Sequence, residues 1–503
     1  MNVHLMYPDA DFSLKQEAPP NTEALIQDLE LSTLFEAMAC GDAFLYQAAK
    51  VAVLSGLGNN PDTIKYRQSV LQDTLRCTQV IQRIYDITIE AAEEKRRNWY
   101  GIFTSYPSSI LQSGVNLLEL YLGMLVRIRN LGNEHSHQFR SLGFQTLFAM
   151  LDRELSEEYF ATIQRHLRDL RFPDGTFLSA SLGAGNVSAG HTLRYSDAEE
   201  QGWFWKLLQG PDPLSFRLSN RDEIGARILG ELRNRGINEV ANAVAQSADH
   251  VLSFFAALQT ELAFYLGCVN LHQKLEGRGV ALFFPTASSR QRKLVCKDLT
   301  DVCLALVMKG PIVPNSMNAD AKQIVVITGA NQGGKSTFMR AIGLAQLMMQ
   351  AGMFVAAKAF SADVCSCLFT HYKREEDREM KSGKFDEELS RMSTIIDQLG
   401  KRAGLVGNSM ILFNESFAAT NEREGTEIAL QVVKALLRAG GRVIYVTHML
   451  RMAHDFVEDA SIRGFYLRAE RQNDGSRPFK LVEGQPLTTS YGEDLYREIF
   501  SSS

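Results

Sequence analysis

The chain has 503 residues, 45% of them hydrophobic and 22% charged, with a net charge of −5. That much apolar material excludes an intrinsically disordered chain and is enough for roughly two to four domain cores. The acidic balance excludes capture of nucleic acid by bulk charge and leaves that task to local basic patches.

The N-terminus, "MNVHLMYPDADFSLKQEAPP", lacks the basic and apolar blocks of a signal peptide, and no apolar run reaches the roughly 18 residues of a membrane helix. A soluble, cytoplasmic protein with no membrane partner is expected. Seven scattered cysteines, with Cys365-x-Cys367 as the nearest pair, fit reduced thiols rather than a disulfide or metal framework.

Helices are expected next. There is no proline from 108 to 172 or from 214 to 284, so both stretches can carry long helices. Val70, Leu71, Leu75, Ile81 and Ile84 recur at helical steps, as do Leu252, Phe255, Leu258, Leu262, Tyr265, Leu266 and Val269. Between them, "FPDGTFLSASLGAGNVSAGHTLRY" (172–195) is rich in Gly and Ser and predicts turns and short strands. From about 280, short β-rich runs ("GVALFFP", "KLVCKDL", "KQIVVITG", "SMILFNES", "GRVIYVTH", "SIRGFYLRA") alternate with segments such as "TEIALQVVKALLRA". That alternation predicts a mostly parallel sheet covered by helices on both faces. The expected fold is therefore α + α/β: a helical part over 1–278, with a small β excursion at about 172–218, then an α/β P-loop domain over 279–503.

Gly329, Gly334, Lys335 and Ser336 in "VVITGANQGGKSTFMRAI" fit G-x-x-x-x-G-K-[ST], after an apolar strand and before a helix. The glycines let backbone N–H groups turn toward phosphate oxygens at the positive end of the helix. Lys335 supplies a point charge to the β- and γ-phosphates of ATP, and the Ser336 hydroxyl can ligate Mg²⁺. The expected nucleotide contacts are Gly329, Ala330, Asn331, Gln332, Gly333, Gly334, Lys335, Ser336 and Thr337.

The strand "SMILFNES" delivers Asn414 and Glu415 to its carboxyl end, where two acids are usual. Glu415 can act on the attacking water as base or orienter. Asn414 keeps a hydrogen-bond acceptor for a metal-bound water but loses one negative charge, so slowed hydrolysis is expected. "VIYVTH" places Thr447 and His448 at the same sheet edge, with His448 within reach of the γ-phosphate.

These residues resemble the MutS-type mismatch-repair ATPases. "ITGANQGGKSTFMRAIGLAQLMMQAGMFVAA" is similar to that family's P-loop and following helix, "VPNS" (313–316) to the loop before it, and "VTHM" to its switch histidine segment. "ESFAATNEREG" resembles the stretch that couples two ATP sites, and "FKLVEGQPLTTSYGEDLYREIF" the end of the ATPase domain. More weakly, "DTIKYRQSVLQDTL" (62–75) and "SADHVLSFFAALQTELAFY" resemble helices of a core-and-lever arm.

The resemblance implies an ABC-type ATPase head that sandwiches two ATPs in a homodimer. Ser382 and Gly383 of "KSGKFDEEL" would stand for the serine-glycine segment offered to the opposite nucleotide, although the Ser-Thr usual before Phe385 is missing. It further implies DNA as partner, met by a clamp at 172–218. An N-terminal mismatch-reading domain with its Phe-x-Glu wedge and a C-terminal nuclease-like extension are both expected to be lacking. "EEKRRNWY", "SRQRK", Arg194, Lys206 and Arg217, with Trp99, Trp203 and Trp205, are the local candidates for phosphate contact. The function implied is a dimeric, nucleotide-gated clamp in DNA repair or recombination. The alternative is an adaptor that uses ATP as dimer glue, with little or no hydrolysis.

Overall fold

The computed structural model describes residues 1–98, 106–173, 175–194, 218–219, 221–374, 383–401, 408–472 and 476–487. The chain divides into two compact units. One comprises Met1–Val3, Gln82–His137 and Gln145–Gln259; the other comprises His4–Ile81, Gln138–Phe144 and Thr260–Ser503.

The first unit is built from the greater part of α5 (Thr78–Asn98), α6 (Pro107–His135), most of α7 (Leu142–Glu154), α8 (Glu157–Asp169) and the first part of α9 (Glu223–Glu276). Pro107 opens α6, where its missing N–H costs nothing. Ser156 caps α8 by accepting from the Tyr159 amide, with Glu157 and Glu158 in its first turn. Leu111 and Val115 of α6, Leu167 of α8, and Ile237, Ala241 and Val244 of α9 form one core. The Gly- and Ser-rich excursion folds as β1 (Phe177–Leu182) paired antiparallel with β2 (Ser188–Arg194), as its turn residues predict. Its continuation, with Trp203, Trp205, Lys206 and Arg217, lies outside the described residues, as does Trp99.

Contrary to the expectation from single apolar runs, α6, extended to Gln138, and α9 each hold an 18-residue window long and apolar enough to cross a membrane. Gly, Ser, Gln and Asn recur along both helices, so neither stands out as one unbroken apolar run. Of those windows, 44% and 61% are buried inside the protein.

The second unit centres on a six-stranded sheet in the order β12 (Leu481–Glu483), β11 (Gly464–Ala469), β6 (Ile324–Thr328), β10 (Arg442–Val446), β9 (Ser409–Asn414), β8 (Cys367–Tyr372). All neighbours pair in parallel except β12 with β11. Alternate residues face opposite layers, as period-two geometry requires. Ile324, Val326, Ile411, Phe413, Val443 and Tyr445 share a core with α12 (Lys384–Lys401), α13 (Glu422–Arg438) and α14 (Leu450–Glu458). α11 (Lys335–Gln350) packs on the other face, where Gly343 comes close to the Leu412 side chain. The mostly parallel, two-sided sheet expected from the sequence is present.

A second, mixed sheet of β3 (Thr286–Ser288), β7 (Ala359–Asp363), β4 (Leu294–Leu299) and β5 (Asn315–Asn318) was not anticipated. "GVALFFP" makes only an isolated bridge from Phe283 to Val355, because Gly279 turns at positive φ and Pro285 has no N–H to donate. Helices α1 (Thr22–Asp28), α2 (Leu31–Ala39), α3 (Ala43–Leu54) and α4 (Pro61–Arg76) join this unit, with α1 against β8 and α3 against α11. The short helix α10 (Val302–Val307) packs on α2. The N-terminal segment is fixed by Glu261 of α9, whose buried carboxylate accepts from the amides of Leu5, Met6 and Phe12. None of the seven cysteines is in a disulfide.

Candidate functional site

Parallel register decides where the polar residues meet. Val446 pairs with both Asn414 and Ile327, so β6, β9 and β10 end together at one sheet edge. Glu415 extends that ladder by donating its amide to the Val446 carbonyl at 2.9 Å. In open α/β sheets, ligands bind beyond such carboxyl ends.

The loop after β6 is shaped by its glycines. Gly329 has φ 111° and Gly334 φ 83°, both left-handed. A Cβ on Gly333 would stand 2.5 Å from the Ala469 Cβ at the end of β11. Ala330 is buried, Asn331 and Gln332 are exposed, and Gln332 is itself left-handed. Thr337 sits half-buried in the first turn of α11.

Lys335 opens α11 and is only 4% exposed. Its Nζ donates to the carbonyls of Gly329 and Ala330, each at 2.8 Å. Burial pushes its pKa down to about 8; Glu415 opposes that shift and Arg477 adds to it. One residue on, the Ser336 hydroxyl donates to the Asn414 side-chain oxygen at 2.9 Å. Beside them, His448 Nε2 and Glu415 Oε1 lie 2.8 Å apart. That contact holds the Glu415 carboxyl below its ordinary range against the effect of burial, with further help from His448's charge and from Lys335 and Lys373. Lys335, Ser336, Asn414, Glu415 and His448 are thus brought to one edge. Ser382, with the rest of 375–382, lies outside the described residues.

The sequence marks 479–500 as the end of the domain, but neither Arg477 nor the way this segment closes the loop from the side is legible in it. Arg477 donates to the Asn331 carbonyl at 2.7 Å. Asn315, within "VPNS", donates to the Phe479 carbonyl and accepts from the Leu481 amide, and Lys480 reaches the Pro314 carbonyl. The sequence marks "VPNS" by resemblance alone; nothing local in it signals a partner 166 residues away.

The arrangement suits a nucleotide phosphate chain. It offers a glycine loop at a helix N-terminus, a lysine, and a hydroxyl and an amide oxygen in contact. Among the described residues, no group of three or more His, Cys, Asp or Glu could hold a metal ion by itself. Ser336 offers a hard hydroxyl oxygen to a Mg²⁺ that would arrive on phosphates and keep several waters, and the Asn414 side-chain oxygen can accept from one of those waters.

Comparison with known proteins agrees. Residues 59–278 match the family model of the MutS2 N-terminal domain, and residues 325–498 match MutS domain V. The chain belongs to the MutS family. It is 29% identical over 238 residues to "Endonuclease MutS2" of Lacticaseibacillus casei, covering 45% of this chain and 29% of that relative. It is 33% identical over 135 residues to "DNA mismatch repair protein MutS" of Thermotoga neapolitana, covering 27% and 16%. To "MutS protein homolog 4" of Mus musculus it is 26% identical over 189 residues, covering 36% and 19%. The chain therefore spans less than a third of each of these relatives. The MutS resemblance read from the phosphate loop and "VTHM" is confirmed at the level of family.

Proposed function

We propose that this member of the MutS family binds ATP with Mg²⁺ at residues 329–337, hydrolyses it slowly, and works as a homodimeric, nucleotide-gated DNA clamp in repair or recombination. The observation that carries the reading is the meeting of Ser336 with Asn414 and of Glu415 with His448 at one sheet edge beside the loop. The loop amides and the N-terminus of α11 bind and orient the phosphates. Lys335, already turned into the loop, exchanges two carbonyl acceptors for phosphate oxygens. Glu415, kept ionised, accepts a proton from the attacking water, while His448 fixes the carboxylate's direction. Magnesium, when bound, neutralises charge developing on the phosphates.

The MutS and MutS2 names of the relatives support DNA as partner, and the family resemblance supports the dimer. The adaptor reading, with ATP as dimer glue, is favoured by one specific observation: the residue hydrogen-bonded to Ser336 is a neutral amide. The deciding experiment measures ATPase rate and oligomeric state together, with and without duplex, branched and mismatched DNA. Mg²⁺-dependent turnover that disappears in Glu415→Gln is expected. Tight ATP binding without Mg²⁺-dependent turnover would replace this reading with the adaptor.

A further inference from the structure

The second unit buries a histidine that the chemistry above leaves unused. His371, on β8, is fully buried. Its Nε2 lies 3.0 Å from the Glu388 carbonyl on α12, and its Nδ1 lies 2.8 Å from the Ser416 hydroxyl, one residue past Glu415. A carbonyl can only accept, so Nε2 carries the proton and donates it to α12. Burial, reinforced by Arg391 and Arg374, holds the imidazole pKa at about 4, so the ring is neutral and Nδ1 is an acceptor. The Ser416 hydroxyl also lies 2.5 Å from the His371 carbonyl. Its single proton is therefore committed to one residue, through the ring or through the backbone.

The turn beyond β9 needs such support. Glu415 and Phe417 both adopt left-handed backbone, at φ 54° and 63°, which side-chain-bearing residues hold only when their surroundings impose it. The Phe417 ring stacks on the His371 imidazole with centroids 5.4 Å apart and planes at 22°. The Tyr445 hydroxyl donates to the Ser416 carbonyl at 2.8 Å. Glu388 approaches the same turn with its side chain. That carboxyl is 4% exposed; burial raises its pKa, while Arg391 and the amides of Phe417 and Ala419 oppose the rise. Among the described residues neither of its oxygens completes a hydrogen bond of ordinary geometry.

We propose that His371 is a positioning residue that ties α12 to the Glu415 turn, so that the docking of α12 regulates turnover without regulating nucleotide binding. The inference rests on the reading of Glu415 as the residue that acts on water. A shift of α12 reaches Ser416 through one rigid ring, and Ser416 adjoins the carboxylate that must stay on His448.

His371→Phe tests this, because it keeps a ring for Phe417 to stack on and removes both ring nitrogens, the one against the Glu388 carbonyl and the one against the Ser416 hydroxyl. Turnover should fall about tenfold or more, since small misplacement of a reacting group is costly. The Kd for methylanthraniloyl-ATP with Mg²⁺ should stay within about twofold, the pattern of a lost transition-state contribution. His371→Gln, which retains a donor, should recover part of the rate. Wild-type turnover in His371→Phe overturns the proposal. So does a parallel loss of affinity and thermal stability, which marks a merely structural role. A wild-type protein that binds ATP and never hydrolyses it refutes the hydrolysis reading instead. The relay is then read from the ¹⁵N resonances of the His448 ring, assigned with His448→Gln: a shift in His371→Phe supports it, and no shift overturns it.

Discussion

Ser336 Oγ donates to Asn414 Oδ1 at 2.9 Å, joining the first turn of α11 to the end of β9. An aspartate there would accept the same hydrogen bond and add a negative charge. Charge-assisted bonds are roughly twice as strong as neutral ones. Asn414→Asp is therefore expected to lower the Mg²⁺ concentration for half-maximal ATPase by about fivefold or more, the factor that about 1 kcal/mol supplies. Titrating Mg²⁺ at saturating ATP checks it. An unchanged midpoint would mean that residue 414 does not serve the metal.

Glu415 and Lys335 should separate chemistry from binding. Glu415→Gln removes the proton acceptor and keeps the contact with His448 sterically possible. A loss of about 10²-fold or more in turnover is expected, with ATP affinity preserved. Lys335→Ala deletes the charge beside the Gly329 and Ala330 carbonyls and should abolish ATP binding itself. Single-turnover hydrolysis and equilibrium binding on the same preparations distinguish the two effects.

The depressed pKa of Lys335 predicts how nucleotide affinity depends on pH. At about 8, the amine is almost wholly protonated at pH 7 and about nine-tenths neutral at pH 9. Phosphate binds the charged form, so above pH 8 the complex must recruit a proton. Affinity should fall about tenfold between pH 7 and pH 9, with close to one proton taken up per ATP at pH 9. Calorimetry in buffers of different ionisation heat measures that uptake, and no uptake at pH 9 would place the lysine elsewhere in the complex.

What the sequence made legible is what is contiguous along it. The phosphate loop lies within eight positions from Gly329 to Ser336, and Asn414 and Glu415 mark the end of one apolar strand. The parallel sheet then carries Asn414 and Val446 to one edge. Residues whose role depends on distant backbone stayed hidden. Arg477 meets Asn331 across 146 residues, and His371 meets Ser416 across 45, with no periodicity to announce either. The four-stranded sheet escaped for a related reason. Only β4 falls in a run that reads as β-rich, "KLVCKDL"; the other strands have three to five residues, and among the described residues β3 pairs with β7, far along the chain, so their pairing leaves no local signal. Ser382, Lys206 and Arg217 lie outside the described residues and remain expectations of the sequence.

Asn315 should stabilise both the fold and the nucleotide loop. It is 6% exposed and satisfies the Phe479 carbonyl and the Leu481 amide at 3.1 and 2.8 Å. Asn315→Ala leaves two backbone groups without a partner, at a cost of about 1–3 kcal/mol each where water cannot enter. Phe479 also borders Gly334, so the loss should reach the phosphate loop. Urea unfolding is expected to shift to a lower midpoint with unchanged slope, accompanied by weaker ATP binding. Weakened binding without lost stability would mean that Asn315 touches the nucleotide instead.

Glu261 sets a different pH dependence, that of stability. Burial raises its pKa from 4.5 to about 7; the Phe12, Leu5 and Met6 amides oppose the rise and Asp11 adds to it. Between those two values the folded chain binds more protons at this site than the unfolded chain, so stability falls as pH rises through 7. The full effect of that shift is about 3 kcal/mol, present at pH 4.5 and lost above pH 7. Glu261→Gln keeps one oxygen for the N-terminal amides and cannot ionise. Its melting temperature relative to wild type should therefore rise progressively from pH 5 to pH 8. A constant difference across that range would show that Glu261 titrates at its ordinary value, held there by its three amide donors. The N-terminal segment would then be fastened by a full carboxylate at neutral pH.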